Sequence, residues 1–122
     1  MSVVFNEKLP IYIQIINYIK QRIISKEIAL GEKLPSVRDL SNELKVNPNT
    51  IQKVYAELER QGITYSKRGM GTFIVEDETL ISSLKNELAL DSMNDFVISM
   101  KSLGFTKEEV KAFFDKKWDD FN

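Results

Sequence analysis

The chain contains no cysteine and no histidine. Without cysteine there is no disulfide and no thiolate zinc site, and nothing points to an oxidising compartment. Without histidine the commonest general base and the commonest metal ligand are missing. No P-loop or dinucleotide-binding glycine pattern occurs. No nucleophile–base set or metal cluster is apparent, so an enzyme is not expected and no cofactor is called for. The start, Met1-Ser2-Val3-Val4-Phe5-Asn6-Glu7, lacks the cationic and apolar regions of a signal peptide. No apolar run approaches the length of a membrane span. These absences lead to the expectation of a soluble, cytoplasmic protein without a membrane partner.

What is present fits one domain, or one small domain with an appendage, in 122 residues. An apolar content of 43% is ordinary for a globular chain. The net charge of −1 is unevenly placed. Residues 1–75 hold 11 Lys and Arg against 7 Asp and Glu, a balance of +4, while residues 76–122 hold 6 against 11, a balance of −5. A basic first part and an acidic second part imply a division of labour. Local positive potential, rather than a basic protein overall, is what a nucleic-acid surface requires.

Ile11, Ile15, Ile19 and Ile23 recur every four residues, with Ile16 and Tyr18 beside them, and predict an amphipathic helix starting near Leu9 or Pro10 and fading around Ser25-Lys26-Glu27. Gly31 ends a connector, and Leu34-Pro35 is extended. Ser36 with Asp39 three residues later is a capping-box pattern, and Val37, Leu40 and Leu44 give the second helix its buried face. Lys45-Val46 is a turn. Asn47 caps a third helix with Pro48 at its first position, Ile51, Val54, Tyr55 and Leu58 facing inward, and Gly62 as its left-handed stop. Ile63–Ser66 and Thr72–Val75 read as two strands around the basic, glycine-rich tip Lys67-Arg68-Gly69-Met70-Gly71. Three helices followed by a basic hairpin describe a winged helix-turn-helix.

After Val75 the composition changes. Leu80, Ile81, Leu84 and Leu88 keep helical spacing, and Met93, Phe96, Val97, Met100 and Leu103 follow at a shifted phase, leaving open one long helix or two broken near Asp91-Ser92. Gly104 ends this stretch. Thr106 and Glu109 form a second capping-box pattern and open a last helix with Val110, Phe113, Phe114 and Trp118. About 45 residues of this kind need a partner to complete a core. The expected organisation is α+β but mostly α: a DNA-binding winged helix-turn-helix over residues 1–76 and an all-α dimerisation tail over residues 77–122. A second copy is the simplest partner for the tail, with Leu84, Leu88, Phe96, Met100, Phe113 and Phe114 as the dimerisation residues. The Met and aromatic set also admits a small-molecule effector pocket as a minority reading.

Pro10-Ile11-Tyr12 with Gln14-Ile15, the run Gly31–Leu40, Val46-Asn47-Pro48-Asn49-Thr50, Tyr55, Leu58-Glu59, Gly62 and Gly69-Met70-Gly71-Thr72-Phe73 together resemble the DNA-binding domain of GntR-family transcription regulators. The match spans about residues 9–75. A short all-helical tail looks like the YtrA-type subfamily, and Leu103-Gly104-Phe105-Thr106 before Lys107-Glu108-Glu109-Val110 resembles its helix-glycine-helix corner. The resemblance implies a bacterial repressor that binds a palindromic operator in double-stranded DNA as a homodimer. YtrA-type regulators commonly control transporter operons.

The DNA-facing candidates follow from helix ends and charge. Asn47, Asn49, Thr50, Gln52 and Lys53 stand at or near the N-terminal end of the third helix, which enters the major groove in helix-turn-helix proteins. Asparagine and glutamine suit adenine, and lysine suits guanine or a phosphate. Asn47 is read as a cap before a base contact. The family pattern places the Thr50 hydroxyl near the backbone or a thymine methyl. Arg38 sits in the first turn of the second helix, where a cation is electrostatically unfavourable unless an anion faces it. A DNA phosphate, shared with Ser36 and the adjoining N–H groups, is the expected anion; the alternative is a surface salt bridge to a neighbouring carboxylate, worth little. Lys67, Arg68 and Gly69 form a wing tip suited to a minor groove. Tyr12 and Tyr55 could touch phosphates with their hydroxyls, but are read first as packed side chains with polar tips at the surface. The competing reading is a winged helix for protein–protein contact without sequence-specific DNA binding.

Overall fold

The computed structural model describes residues 3–121. They form α1 (Ile11–Ile24), α2 (Val37–Leu44), α3 (Pro48–Arg60), β1 (Thr64–Lys67), β2 (Gly71–Ile74), α4 (Thr79–Ser102) and α5 (Lys107–Asp120). Two compact units are present, the first ending at Lys85 and the second starting at Asn86. The division lies inside α4, beyond the boundary expected at residue 76.

The first unit is built around α1, with Ile15, Ile19 and Ile23 fully buried against Leu40, Ile51, Val54, Leu58 and Ile74. Spacing by four stacks the isoleucines on one face of α1. Ile11, the first member of that series, is 45% exposed, because the apolar face becomes buried only from the second turn. α2 begins on Ser36, whose hydroxyl accepts the Asp39 N–H at 3.0 Å. Only this half of the expected capping box is made; aspartate is one methylene shorter than the glutamate that usually returns the bond. Lys45 closes α2 at φ +56°, a left-handed position that few non-glycine residues occupy. α3 opens on Asn47, which accepts the Asn49 N–H at 2.8 Å, with Pro48 following. It ends as expected at Gly62: the Gly62 N–H reaches the Glu59 carbonyl at 2.9 Å and the Ile63 N–H the Leu58 carbonyl at 2.9 Å.

β1 and β2 pair antiparallel, Thr64 with Ile74 through Lys67 with Gly71. Gly31–Leu34, read from sequence as a connector, forms a third edge to this sheet. Leu34 N–H donates to Thr72 O at 2.8 Å, Gly31 N–H to Ile74 O at 2.9 Å and Ile74 N–H to Glu32 O at 2.9 Å, with Lys33 bridged to Phe73.

The expectation that Leu84 serves dimerisation is corrected by its packing. It is 2% exposed and belongs to the core cluster of the first unit, with Leu80 and Ile81 packed against the same cluster. A side chain already desolvated there offers nothing to a second copy, and its burial is why the first unit extends to Lys85.

α4 is one helix, so the open choice near Asp91-Ser92 resolves to no break. In the second unit α4 ends as Gly104 N–H meets Lys101 O at 3.0 Å and Phe105 N–H meets Met100 O at 3.1 Å. Thr106 and Glu109 then make the full reciprocal capping box of α5, at 3.2 and 3.0 Å. Phe105 and Phe113 meet edge to face, with centroids 5.4 Å apart. Leu88, Phe96 and Met100 are half-buried, while Phe113 and Phe114 are each 47% exposed and Trp118 is 67% exposed. Beside Phe96, Met100, Phe113 and Trp118 lies a hollow of about 420 Å³ with Lys117 at its rim. No helix among the described residues is long and apolar enough to cross a membrane.

Candidate nucleic-acid interface

Three short segments of the first unit carry the expected contacts, and each is tied to the next by a specific hydrogen bond. The start of α2 is tied to α3 by Tyr55, whose hydroxyl donates to Pro35 O at 2.6 Å. Tyr55 is 8% exposed, so its polar tip is not at the surface as the sequence suggested. Burial pushes its phenol pKa well up, with the nearby Glu43 carboxylate adding to the shift. The hydroxyl therefore stays protonated and keeps its donor role. α3 is tied to the wing by Glu59, whose carboxylate accepts the Ser66 N–H at 3.1 Å. The wing returns to the start of α2 through the Leu34–Thr72 bond. Ser36, the head of α3 and the hairpin are thus held as one closed circuit.

Replacing Tyr55 with phenylalanine is expected to lower stability by ~1–1.5 kcal/mol, since the Pro35 carbonyl loses its donor while packing is kept. Thermal unfolding of the variant measures this. An unchanged melting temperature would show that the bond does not fasten α2 to α3.

The side chains on this frame differ in their freedom. Arg38 is exposed and, among the described residues, has no ion-pair partner. Its alternative role as half of a surface salt bridge therefore has no partner to support it. Ser36 uses its oxygen as the cap acceptor, which leaves its O–H free to donate. Asn47 is a cap, as expected, with its Oδ1 occupied by Asn49 N–H. Asn49 and Gln52 are exposed and Thr50 is half-buried. Lys53 is exposed but not free: its Nζ lies 3.8 Å from the Tyr12 ring centroid. At the other end of α3, Arg60 and Gln61 donate to Glu57 and hold its carboxyl down to about 2.

At the wing tip, Met70 N–H closes on Lys67 O at 2.9 Å, with Gly69 at φ +78° in the third place of the turn. That positive φ is the requirement of a type II turn. Gly71 follows at φ +119°, and a Cβ there would lie 2.8 Å from Lys33 Cε. The positive φ already favours glycine at this position, and the Lys33 side chain lies across it. Arg68 and Gly69 are exposed, and Lys67 Nζ lies 5.4 Å from the Phe73 ring centroid. Tyr65 and Phe73 stack across the strands at 5.8 Å and stiffen the base.

The roles of four side chains at this surface were missed in the sequence reading: Lys33 beside the wing, Tyr55 and Glu59 as fasteners, and Tyr12 beneath Lys53. The motif positions of Tyr12, Tyr55 and Glu59 were visible in the chain, but their partners were not.

Comparison with known proteins places this geometry. The model of the bacterial regulatory proteins of the gntR family matches residues 11–74. The uncharacterized HTH-type transcriptional regulator YhcF of Bacillus subtilis (strain 168) is 48% identical over 106 residues, covering 87% of this chain and 88% of YhcF. The HTH-type transcriptional repressor YtrA of the same organism is 37% identical over 102 residues, covering 83% and 78%. Among solved structures, a GntR family transcriptional regulator from Listeria monocytogenes superposes with a TM-score of 0.83 at 42% identity, covering 92% of this chain and 98% of that one. The DNA-binding domain of AraR, solved in complex with operator ORX1, gives a TM-score of 0.56 at 29% identity, covering 62% and 95%. Both of these curated relatives are HTH-type transcriptional regulators.

Proposed function

Because this chain belongs to the GntR family of bacterial regulatory proteins and is a DNA-binding transcriptional regulator of that type, we propose that it acts as a homodimeric repressor of a palindromic operator. The observation that carries this reading is the exposed polar start of α3, held in one hydrogen-bonded frame with an exposed Arg38 and a basic wing tip. Asn49 and Gln52 read base edges in the major groove, Arg38 and Ser36 bind a phosphate, and Arg68 enters the minor groove. The AraR domain bound to its operator lends the same kind of partner to this fold.

The exposed aromatic face of the second unit supports the dimer. Phe114 and Trp118 lie 5.5 Å apart on α5, both largely open to solvent. A contiguous apolar patch of this kind marks an association site. A second copy that covers it sets two recognition helices about 34 Å apart, one helical turn of DNA. The likeness to YtrA, a repressor, favours repression over activation, and the subfamily resemblance supports a transporter operon as the regulated unit.

Selection of bound sequences from a random duplex pool, at about physiological salt, tests the reading. A palindrome should be enriched, with half-site centres about 10 base pairs or a multiple of that apart. Enrichment of a lone half-site would sink the dimer and keep the head as a reader. Failure to enrich any sequence would sink sequence-specific binding and favour the protein-contact alternative.

A further inference from the structure

The segment Pro10-Ile11-Tyr12 with Gln14 has no task in the reading above, although it packs beside α3. Gln14 fastens the chain that precedes α1. Its Oε1 accepts the Asn6 N–H at 3.0 Å, and its Nε2 donates to Asn6 O at 2.8 Å and Leu9 O at 2.7 Å. α1 has no side-chain cap at its start, so these bonds fix its first turn. Tyr12, in that turn, is half-buried, and α1 packs on α3 through buried Ile15, Ile16 and Ile19 against Ile51, Val54 and Leu58. The ring is therefore a rigid surface. Over it stands Lys53 Nζ, 3.8 Å from the centroid, well inside the range of an attractive cation–π contact.

Lys53 follows Asn49 by four residues, so both lie on one stripe of α3. A lysine must surrender considerable rotamer freedom when it meets a fixed anion. An ammonium resting on a ring face has lost part of that freedom already and still has N–H groups that point away from the ring. We propose that Tyr12 is a positioning residue for DNA binding: its ring holds the Lys53 ammonium beside the recognition stripe, where it meets a backbone phosphate and not a base edge. This assigns α1 a part in the interface and decides between the two ligands left open for Lys53. The inference rests on the DNA-binding reading of α3.

The test uses the full chain and five forms: wild type, Lys53→Ala, Tyr12→Phe, Tyr12→Leu and the Tyr12→Leu/Lys53→Ala double variant. Dissociation constants for the selected operator and for a random duplex are measured from about 50 to 200 mM salt, where phosphate contacts change affinity most visibly. Lys53→Ala should weaken both duplexes by roughly 3–10-fold and lower the salt slope by about one. Tyr12→Leu should produce the same kind of loss on both duplexes, Tyr12→Phe should match wild type, and the double variant should be no worse than Lys53→Ala. Lys53 is on the surface and its variant keeps the core, so its result stands even if Tyr12→Leu unfolds; Tyr12→Met then takes its place as the form without a ring. Tighter binding by Tyr12→Leu would show that the ring withholds Lys53 from DNA and would overturn the proposal. So would additive losses, or a Lys53→Ala loss confined to the operator. A wild type that selects no operator would instead overturn the underlying DNA reading.

Discussion

A chain carrying both Phe114→Glu and Trp118→Glu is expected to sediment as a monomer and to lose operator affinity by ~10²–10⁴-fold. The size of the effect comes from linkage: once one head is bound, the second binds at the effective concentration set by the first, and that advantage vanishes with the dimer. The two side chains are chosen because neither holds its own unit together. Phe113, not Phe114, packs edge-on against Phe105, and Trp118 is 67% exposed. Their replacement should leave α5 folded, with its Thr106–Glu109 cap intact. Two carboxylates on each copy would then face a second pair across an isologous contact, where like meets like. Affinity for a duplex with one half-site should remain at the wild-type value, because it needs one head only. Sedimentation velocity and binding to full and half operators measure both parts. A variant that stays dimeric would remove α5 from the interface.

Arg38→Ala is expected to weaken binding to every duplex by ~10–100-fold, the loss of one charge-assisted contact of about 1.5–3 kcal/mol. The salt slope should fall by about one. Arg38 stands exposed near the positive end of α2, without a carboxylate partner among the described residues, so its removal costs the fold little. Gln52→Ala makes the contrast. It should leave random duplex nearly unaffected and relax choice at one base pair per half-site, a discrimination of ~1–3 kcal/mol. If Arg38→Ala kept wild-type affinity and slope, the phosphate assignment would fall. If Gln52→Ala kept full base preference, the reading residue would have to be sought at Asn49 or Thr50.

Much of the fold was legible in the chain because its signals are local. Ser36, Asn47 and Thr106 each cap a helix through a bond two or three residues away. The Ile15–Ile19–Ile23 repeat needs only the helical period. Asn49, Gln52 and Arg38 were legible as surface candidates because they interrupt those apolar patterns at helix starts. Leu84 was misread for a related reason: its spacing matches Leu88, and helical period cannot say which of two apolar surfaces a leucine enters.

The sequence by itself determined where α2, α3 and α5 are capped, which faces are apolar, and where basic and acidic charge collect, but not that α4 runs unbroken. Those properties depend on neighbours within about one helical turn. Only the tertiary structure decided that Gly31–Leu34 is a sheet edge, that the Tyr55 hydroxyl belongs to Pro35, and that Lys53 rests on Tyr12. Each of these joins distant parts of the chain, twenty residues apart in the case of Tyr55 and Pro35. Many partners are chemically acceptable to a tyrosine hydroxyl or a lysine ammonium, and it is the packing of α1 and α2 on α3 that leaves one within reach.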